Sequence, residues 1–414
     1  MKYNNNYNEK GYHLMAKPVG PLCNLNCEYC FYTEKSALFP KENNFIMSYD
    51  VLEQYVKEYI NSQNIPEISF VWQGGEPMLA VLSFYEKAVE LQKKYANGKK
   101  ILNSIQTNGT LLNDDWCKFL KENNFVVGLS LDGPEHIHNR YRKDFKGEGT
   151  FNKVMNGLEL LKKYNIEYNV LACVAADTCD YPLKTYRFFK KHGVKHIQFT
   201  PVIERIPDEN SKKYGLENAS PDCKVSKVTD WSVSAEKYGK FLIDIFDEWV
   251  KYDVGEIFVM NFEWALTSWI GLENTMCIFA KECGNCMILE HNGDIYSCDH
   301  YMYPDYNIGN ILKCDINKII SSEKQCMFKN KKCSLPDNCK KCEALFACYG
   351  ECPRHRFKTF ENGEYGKSYL CEGYKEYFYH IHPYMKAMAQ LVLNGRPAKD
   401  VMTLRENPVV IFKK

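Results

Sequence analysis

Cys23, Cys27 and Cys30 are spaced C-x3-C-x2-C in the stretch PLCNLNCEYCFY. Three thiolates at this spacing can hold three irons of a [4Fe–4S] cube, while a fully ligated cube takes four. The missing fourth ligand leaves one iron open to an outside molecule. A structural zinc site wants four closed ligands, and no fourth Cys or His lies nearby. The plainer alternatives are a zinc knuckle or three unrelated buried thiols. A denser group follows far downstream. Cys339, Cys342, Cys348 and Cys352 read C-x2-C-x5-C-x3-C, Cys371 comes later, and Cys277, Cys283 and Cys298 lie upstream. C-x2-C pairs suit zinc as well as iron–sulfur clusters, so spacing leaves both open there.

Nineteen cysteines are a heavy load for 414 residues, and twelve of them fall between 277 and 371. The 53 basic and 52 acidic side chains nearly cancel to +1, which leaves no electrostatic footprint for nucleic acid. The opening MKYNNNYNEKGYH lacks the apolar core of a secretory signal. No apolar run approaches the roughly 20 residues of a membrane helix. A cytoplasmic location is expected, with no nucleic-acid or membrane partner. In that compartment clustered thiols bind metal more often than they form disulfides. The cysteines outside the two groups are expected to be ordinary thiols.

The elements that must position these groups alternate. Strands are predicted at 13–18, 68–73, 103–107, 125–131, 168–174 and 196–201, and helices near 48–62, 83–96, 113–123, 150–164 and 181–192. Ser83 with Glu86 reads as a capping box, and Gly193 as a C-terminal cap. Apolar strands alternating with helices imply a parallel sheet, and six such units are too few for a closed eight-stranded barrel. The expected fold class is α/β, a partial (β/α)6 TIM-like barrel over 1–230. A polar loop at 204–231, a connecting helical region at 231–276 with a strong helix at 234–251, a cysteine-rich domain at 277–390 and a tail at 391–414 complete the chain. That domain is expected to be irregular and stapled by metal, since its own core would be marginal.

Polar residues gather where the strands end. Gln73-Gly74-Gly75-Glu76-Pro77 follows the second strand, and its glycines permit close backbone approach to a ligand. Gln106-Thr107-Asn108-Gly109 ends the third. Ser130 and Asp132 end the fourth, with Arg142 shortly after. Turn chemistry explains QTNGT and LDGP equally well. The plain alternative for Arg142 is a surface arginine, and for Ile203, past the sixth strand, a core residue.

C-x3-C-x-aromatic-C after a first strand resembles the radical S-adenosylmethionine (SAM) superfamily signature, and GGEP one strand later resembles that family's SAM-binding motif. The downstream pattern, with Gly293 and Cys298 in NGDIYSC, resembles the SPASM domain. Across about 12–390 the chain resembles the anaerobic sulfatase-maturating enzymes, through KPVGPLCNLNCEYCFY, WQGGEP, SIQTNGTLL, GLSLDGP, RYRKD, NGDIYSCDHY and LFACYGECPRHRF.

That resemblance implies three [4Fe–4S] clusters and SAM as cofactors. Cys23, Cys27 and Cys30 would hold the open cluster. Cys277, Cys283, Cys298 and Cys352 would hold one closed cluster, and Cys339, Cys342, Cys348 and Cys371 the other. Tyr29, Gly74, Gly75, Glu76, Ser130, Arg142 and Ile203 would bind SAM. Gln73 and Tyr32 would face the substrate, a sulfatase polypeptide with a Cys/Ser-x-Pro-x-Arg motif. The implied activity is radical oxidation of that Cys or Ser to Cα-formylglycine. A 5′-deoxyadenosyl radical takes a Cβ hydrogen, a base takes the thiol or hydroxyl proton, and a second electron leaves. The implied base is Asp299, its pKa raised by partial desolvation, with His300 as rival and a loop hydrogen-bonding role as the plain alternative. A flavodoxin or ferredoxin would supply electrons to a monomer. The competing readings are a SPASM peptide maturase forming thioether or carbon–carbon links, disfavoured by the short segment before Cys23, and a zinc-binding interaction protein.

Overall fold

The computed structural model describes residues 11–40, 44–223 and 225–404. Six strands alternate with helices as the apolar periodicity requires: β1 (His13–Ala16), β2 (Glu67–Trp72), β3 (Lys100–Thr107), β4 (Phe125–Ser130), β5 (Tyr168–Val174) and β6 (His196–Pro201). They pair in parallel in that order. A short β7 (Phe258–Val259) extends the sheet beyond β6. Each crossover helix turns an apolar stripe onto the sheet. In the helix Tyr49–Asn61, for instance, Val51, Leu52, Tyr55, Val56, Tyr59 and Ile60 are buried, and the Ser48 side chain accepts from Val51 N–H at the N-terminus.

The cysteine-rich segment departs from the expected irregular lobe. It gives three strands to the same sheet: β8 (Cys286–Leu289) lies parallel to β1, and β9 (Asp294–Tyr296) and β10 (Asn307–Asn310) follow antiparallel. The sheet thus has ten strands in the order β10-β9-β8-β1-β2-β3-β4-β5-β6-β7. The reason is the open edge of β1, whose unpaired N–H and C=O groups need a partner. The apolar Met287-Ile288-Leu289 covers it, fully buried.

Two further expectations are corrected or refined. Ser83 does not cap its helix, which starts two residues earlier at Val81, after a 3-10 turn over Pro77–Ala80. The polar stretch 204–231 is indeed loop-like, but it carries a short helix (Glu209–Lys213) and is pinned by Arg205, which donates to the carbonyls of Ser220, Pro221 and Cys223. Gly193 does end its helix, in the left-handed region at φ +67°.

The last cysteine is placed by helix packing. Cys371 is the first residue of a helix running to Leu393, which lies against the helix Ala235–Tyr252. The two backbones touch at Gly239 and Gly373; a Cβ on Gly373 would sit 1.7 Å from the Ala235 carbonyl oxygen.

Candidate functional site

The loop carrying Cys23, Cys27 and Cys30 leaves the C-terminal end of β1 and is clamped from several sides. Gly75 N–H donates to Gly20 O (2.9 Å) and Glu76 N–H to Leu22 O (2.7 Å). A Cβ on Gly75 would lie 1.8 Å from Leu22 O, so the glycine serves the approach of this loop. Asn108 Nδ2 bonds Asn24 Oδ1 (2.8 Å) and points at Cys23 Sγ (3.9 Å), and Asn24 Nδ2 bonds Thr110 Oγ1 (2.8 Å). On the far side Asn26 N–H donates to Lys143 O (2.8 Å) and Glu28 N–H to Tyr141 O (3.2 Å). Burial pushes the Cys23 and Cys27 thiols up to about 12, and each is within electrostatic reach of Cys30. Such thiols stay protonated near neutrality and become thiolates when a metal displaces the proton. The donor set therefore fits an iron–sulfur cluster.

The residues expected around SAM are found at the strand ends in differing states of engagement. Glu76 is fully buried. Its carboxylate accepts from Met78 N–H (3.1 Å), Thr107 Oγ1 (2.7 Å) and Asn108 N–H (2.8 Å), so it ties β2's end to β3's end. Burial raises it to about 7 despite those bonds. Ser130 Oγ accepts from Gln106 Nε2 (3.0 Å). Arg142 forms a two-pronged pair with Asp132 (2.9 and 3.1 Å), and Tyr29 OH donates to the same carboxylate (2.5 Å). Ile203 is buried in the main core. Gln73 is fixed by its backbone N–H on Ala16 O (3.0 Å). Tyr32 is buried and donates to Glu290.

The downstream cysteines come together in two neighbourhoods. Cys298 is within electrostatic reach of Cys277, Cys283 and Cys352. Cys371 is within reach of Cys339 and Cys342, and Cys348 of Cys371. Burial pushes Cys283 and Cys348 up to about 12. Among the described residues no three His, Cys, Asp or Glu side chains converge as the ligands of one ion do; a cube, whose ligands sit on separate irons, does not ask for that.

Asp299 follows Cys298 and meets the N-terminal cluster loop. Lys17, whose N–H is held by Leu289 O (2.8 Å), places Nζ 2.6 Å from Asp299 Oδ1 and 4.4 Å above the Tyr32 ring. Burial pushes Asp299 up, but Lys17, joined by His300 and Arg354, outweighs it and holds the carboxyl below its ordinary value. The expected upward shift is thus reversed by a cation that sequence reasoning did not pair with it.

The Radical SAM superfamily model matches residues 18–189, and the SPASM model, an iron–sulfur cluster-binding domain, matches residues 277–343. The serine-type anaerobic sulfatase-maturating enzyme of Bacteroides thetaiotaomicron is 47% identical over 394 residues, 95% of each chain. The chain belongs to the anaerobic sulfatase-maturating enzymes. The cysteine-type enzyme of Clostridium perfringens is 35% identical over 373 residues, 89% of this chain and 96% of that one. The structure of native anSMEcpe with bound AdoMet superposes at a TM-score of 0.80 and 35% identity, covering 91% of this chain and 99% of that one. Streptococcus suis SuiB bound to precursor peptide SuiA, at 14% identity and a TM-score of 0.60, shares the fold.

As a radical SAM maturating enzyme, the protein uses [4Fe–4S] clusters and SAM, which sets aside the zinc-binding interaction reading. No helix among the described residues is long and apolar enough to cross a membrane. Some of this maturating enzyme's site residues, Lys17, Glu204 and Arg354 among them, escaped the sequence, while His300 and Cys286 were read from it. His300, the rival base, is lowered to about 3 by burial and by Arg354, and its Nδ1 accepts from Arg354 Nη1 (2.9 Å), so it is neutral with one nitrogen already taken. Arg354 in turn pairs with Glu204, from the segment after β6. Cys286, read as an ordinary thiol, lies within electrostatic reach of Cys277 and Asp299. Asn108 and Thr110 carried a signal in the QTNGT turn, and His300 in CDHY; the pairing of Arg354 with Glu204 and His300 is made by tertiary contact alone.

Proposed function

We propose that this enzyme oxidises an active-site Cys or Ser of a sulfatase to Cα-formylglycine, with Asp299 as the base. The observation that carries this reading is the pair between buried Lys17 and partly buried Asp299. It joins the segment after Cys298 to the segment before Cys23, which supports a carboxylate working between the two cysteine sets.

In this reading Cys23, Cys27 and Cys30 hold the open cluster, Cys277, Cys283, Cys298 and Cys352 a first closed one, and Cys339, Cys342, Cys348 and Cys371 a second. Bound in the first set, the cluster and SAM supply a 5′-deoxyadenosyl radical that abstracts a hydrogen atom. The chain's own residues do the rest. Gly74 and Gly75 present backbone at the end of β2, with Tyr29, Ser130, Arg142 and Ile203 around the same rim. Glu76 works through Thr107 and Asn108, which it holds in place. Arg142 is pre-set by Asp132, so its planar fork is oriented before any carboxylate arrives. Asp299, ionised at rest, takes the hydroxyl or thiol proton once the adjoining carbon has become a radical and that proton more acidic. Lys17 keeps the carboxylate aimed. Gln73 and Tyr32 stand at the substrate side, and Tyr32 orients Lys17 through its ring.

The partners in this reading are a sulfatase polypeptide with a Cys/Ser-x-Pro-x-Arg motif and a low-potential flavodoxin or ferredoxin. The enzyme works as a cytoplasmic monomer, with 1–230 as the radical SAM unit and 277–390 as the SPASM unit. Reconstituted protein incubated with SAM, reductant and peptides carrying Cys-x-Pro-x-Arg or Ser-x-Pro-x-Arg tests this. Formylglycine is expected by mass spectrometry in at least one peptide; SAM cleavage with both peptides unchanged would sink the assignment.

A further inference from the structure

Two buried cations stand between the downstream thiol sets. Lys332 is 1% exposed, and its Nζ donates to Ile278 O (2.8 Å) and Glu351 O (2.6 Å). Ile278 follows Cys277, and Glu351 precedes Cys352. Arg356 is also buried. It donates to Gly350 O (2.7 Å), Glu351 O (3.1 Å), and Tyr349 O (2.9 Å), the residue after Cys348, and to the carbonyls of Lys331, Lys332 and Ser334. Every one of these acceptors is a backbone carbonyl. The buried carboxylate of Glu351 is within electrostatic reach of Lys332, but it is one charge against two cations and is shared with His355 and Ser368 Oγ. Carbonyls satisfy the hydrogen bonds of a cation without cancelling its charge, and an uncancelled buried charge is costly.

The remaining countercharge is on either side. Lys332 is within electrostatic reach of Cys352 in one set and Cys348 in the other. Arg356 is within reach of Cys283 in one and Cys339 in the other. A cube with four thiolates is an anion, and reduction adds one more negative charge. We propose that Lys332 and Arg356 form a cationic bridge that takes both closed clusters as counterions and raises the reduction potential of each. The proposal rests on the reading of the two sets as cluster ligands.

The bridge answers a requirement of the reaction. Turning a Ser or Cys side chain into an aldehyde or thioaldehyde removes two electrons. One leaves with the hydrogen atom taken from Cβ, and the proton goes to the base. The last electron passes to a one-electron acceptor, which is reduced as the substrate carbon is oxidised. Fixed positive charge beside a cluster stabilises the reduced form, because potentials follow net charge and hydrogen bonding around the sulfurs.

A potentiometric titration of the reconstituted holoenzyme, followed by electron paramagnetic resonance without substrate, tests this. Signals that SAM leaves unmoved belong to the closed clusters. Lys332→Met is expected to lower both midpoints by at least a tenfold change in the reduced-to-oxidised ratio, about 59 mV for one electron, and Lys332→Arg to keep them. Arg356→Gln and Arg356→Lys form the second pair, with the same expectation. If a neutral variant loses iron from the closed sites while its charged counterpart keeps it, the clusters need the countercharge and the proposal stands. Unmoved midpoints in either iron-replete neutral variant overturn it. So does equal damage in the neutral and charged variants, which would mark the two side chains as hydrogen-bonding staples. Because no substrate is present, a failed peptide assay leaves this result intact, and wild-type protein without closed-cluster iron would fail the functional reading first.

Discussion

Lys17 Nζ stands 2.6 Å from Asp299 Oδ1, with Lys17 1% exposed and Asp299 19%. The pair holds the pKa of Asp299 down against burial, which alone would raise it. Removing one partner of a buried pair leaves the other charge uncompensated. In Lys17→Met the carboxyl therefore rises. A base works only while ionised, so the acid limb of kcat/KM for the peptide moves to higher pH in this variant. An unmoved acid limb would exclude Asp299 as the titrating group.

Asp299→Asn keeps the shape and removes the proton acceptor. Peptide oxidation is expected to fall by about 100-fold or more, the range for a positioned base. His300, neutral and already accepting from Arg354, does not substitute for it. SAM cleavage measured as 5′-deoxyadenosine should persist. Full peptide turnover in the variant would remove Asp299 from the base role.

Gly75→Ala drives a methyl group toward Leu22 O, 1.8 Å from where its carbon would sit. Both groups are backbone, so neither can swing aside, and the loop before Cys23 must move. The SAM-responsive cluster signal is expected to be lost while the SAM-insensitive signals stay. Wild-type iron content and an intact SAM-responsive signal would show that the loop tolerates the methyl.

Glu76 links pH to stability. Its folded-state value of about 7 lies above the ordinary 4.5. The folded protein thus keeps a proton that the unfolded chain loses as pH rises between those values. Its contribution is complete below about 4.5 and lost as pH rises through about 7, a change of about 3 kcal/mol at about 1.4 kcal/mol per pK unit. Chemical denaturation of the apoprotein should show this fall in the wild type and not in Glu76→Gln. The amide N–H₂ of that variant would also face one of the three donors, costing about 1–3 kcal/mol. Parallel pH profiles for the two proteins would contradict the buried, carboxyl-specific role.

Much of the barrel was legible because its period is local. Strands β1 to β6 and their helices followed from runs of apolar residues, and β5 and β6 matched to the residue. The strands β8 to β10 were missed although their signals were present: Met287-Ile288-Leu289 is an apolar run, and Asn292-Gly293 a hairpin turn. The density of cysteines masked them, since metal ligation competes with strand pairing as an explanation for a short ordered segment.

The sequence by itself determined which atoms could do chemistry. Thiol spacing set one three-membered group apart from a denser downstream one, and motif spacing placed Gly75, Glu76 and Ser130 at strand ends. The tertiary structure decided how those groups are charged and held. Lys17 meets Asp299 because β8 covers the free edge of β1, a pairing between segments more than 270 residues apart. Glu76 became a tie between strands rather than a free carboxylate because three donors converge on it. Lys332 and Arg356 each reach both downstream thiol sets through folding, although Arg356 is near only Cys352 in sequence. Residue type and spacing fix what a side chain can donate, accept or ligate. Burial and long-range neighbours fix whether it is charged and which way it points, and these belong to the folded chain alone.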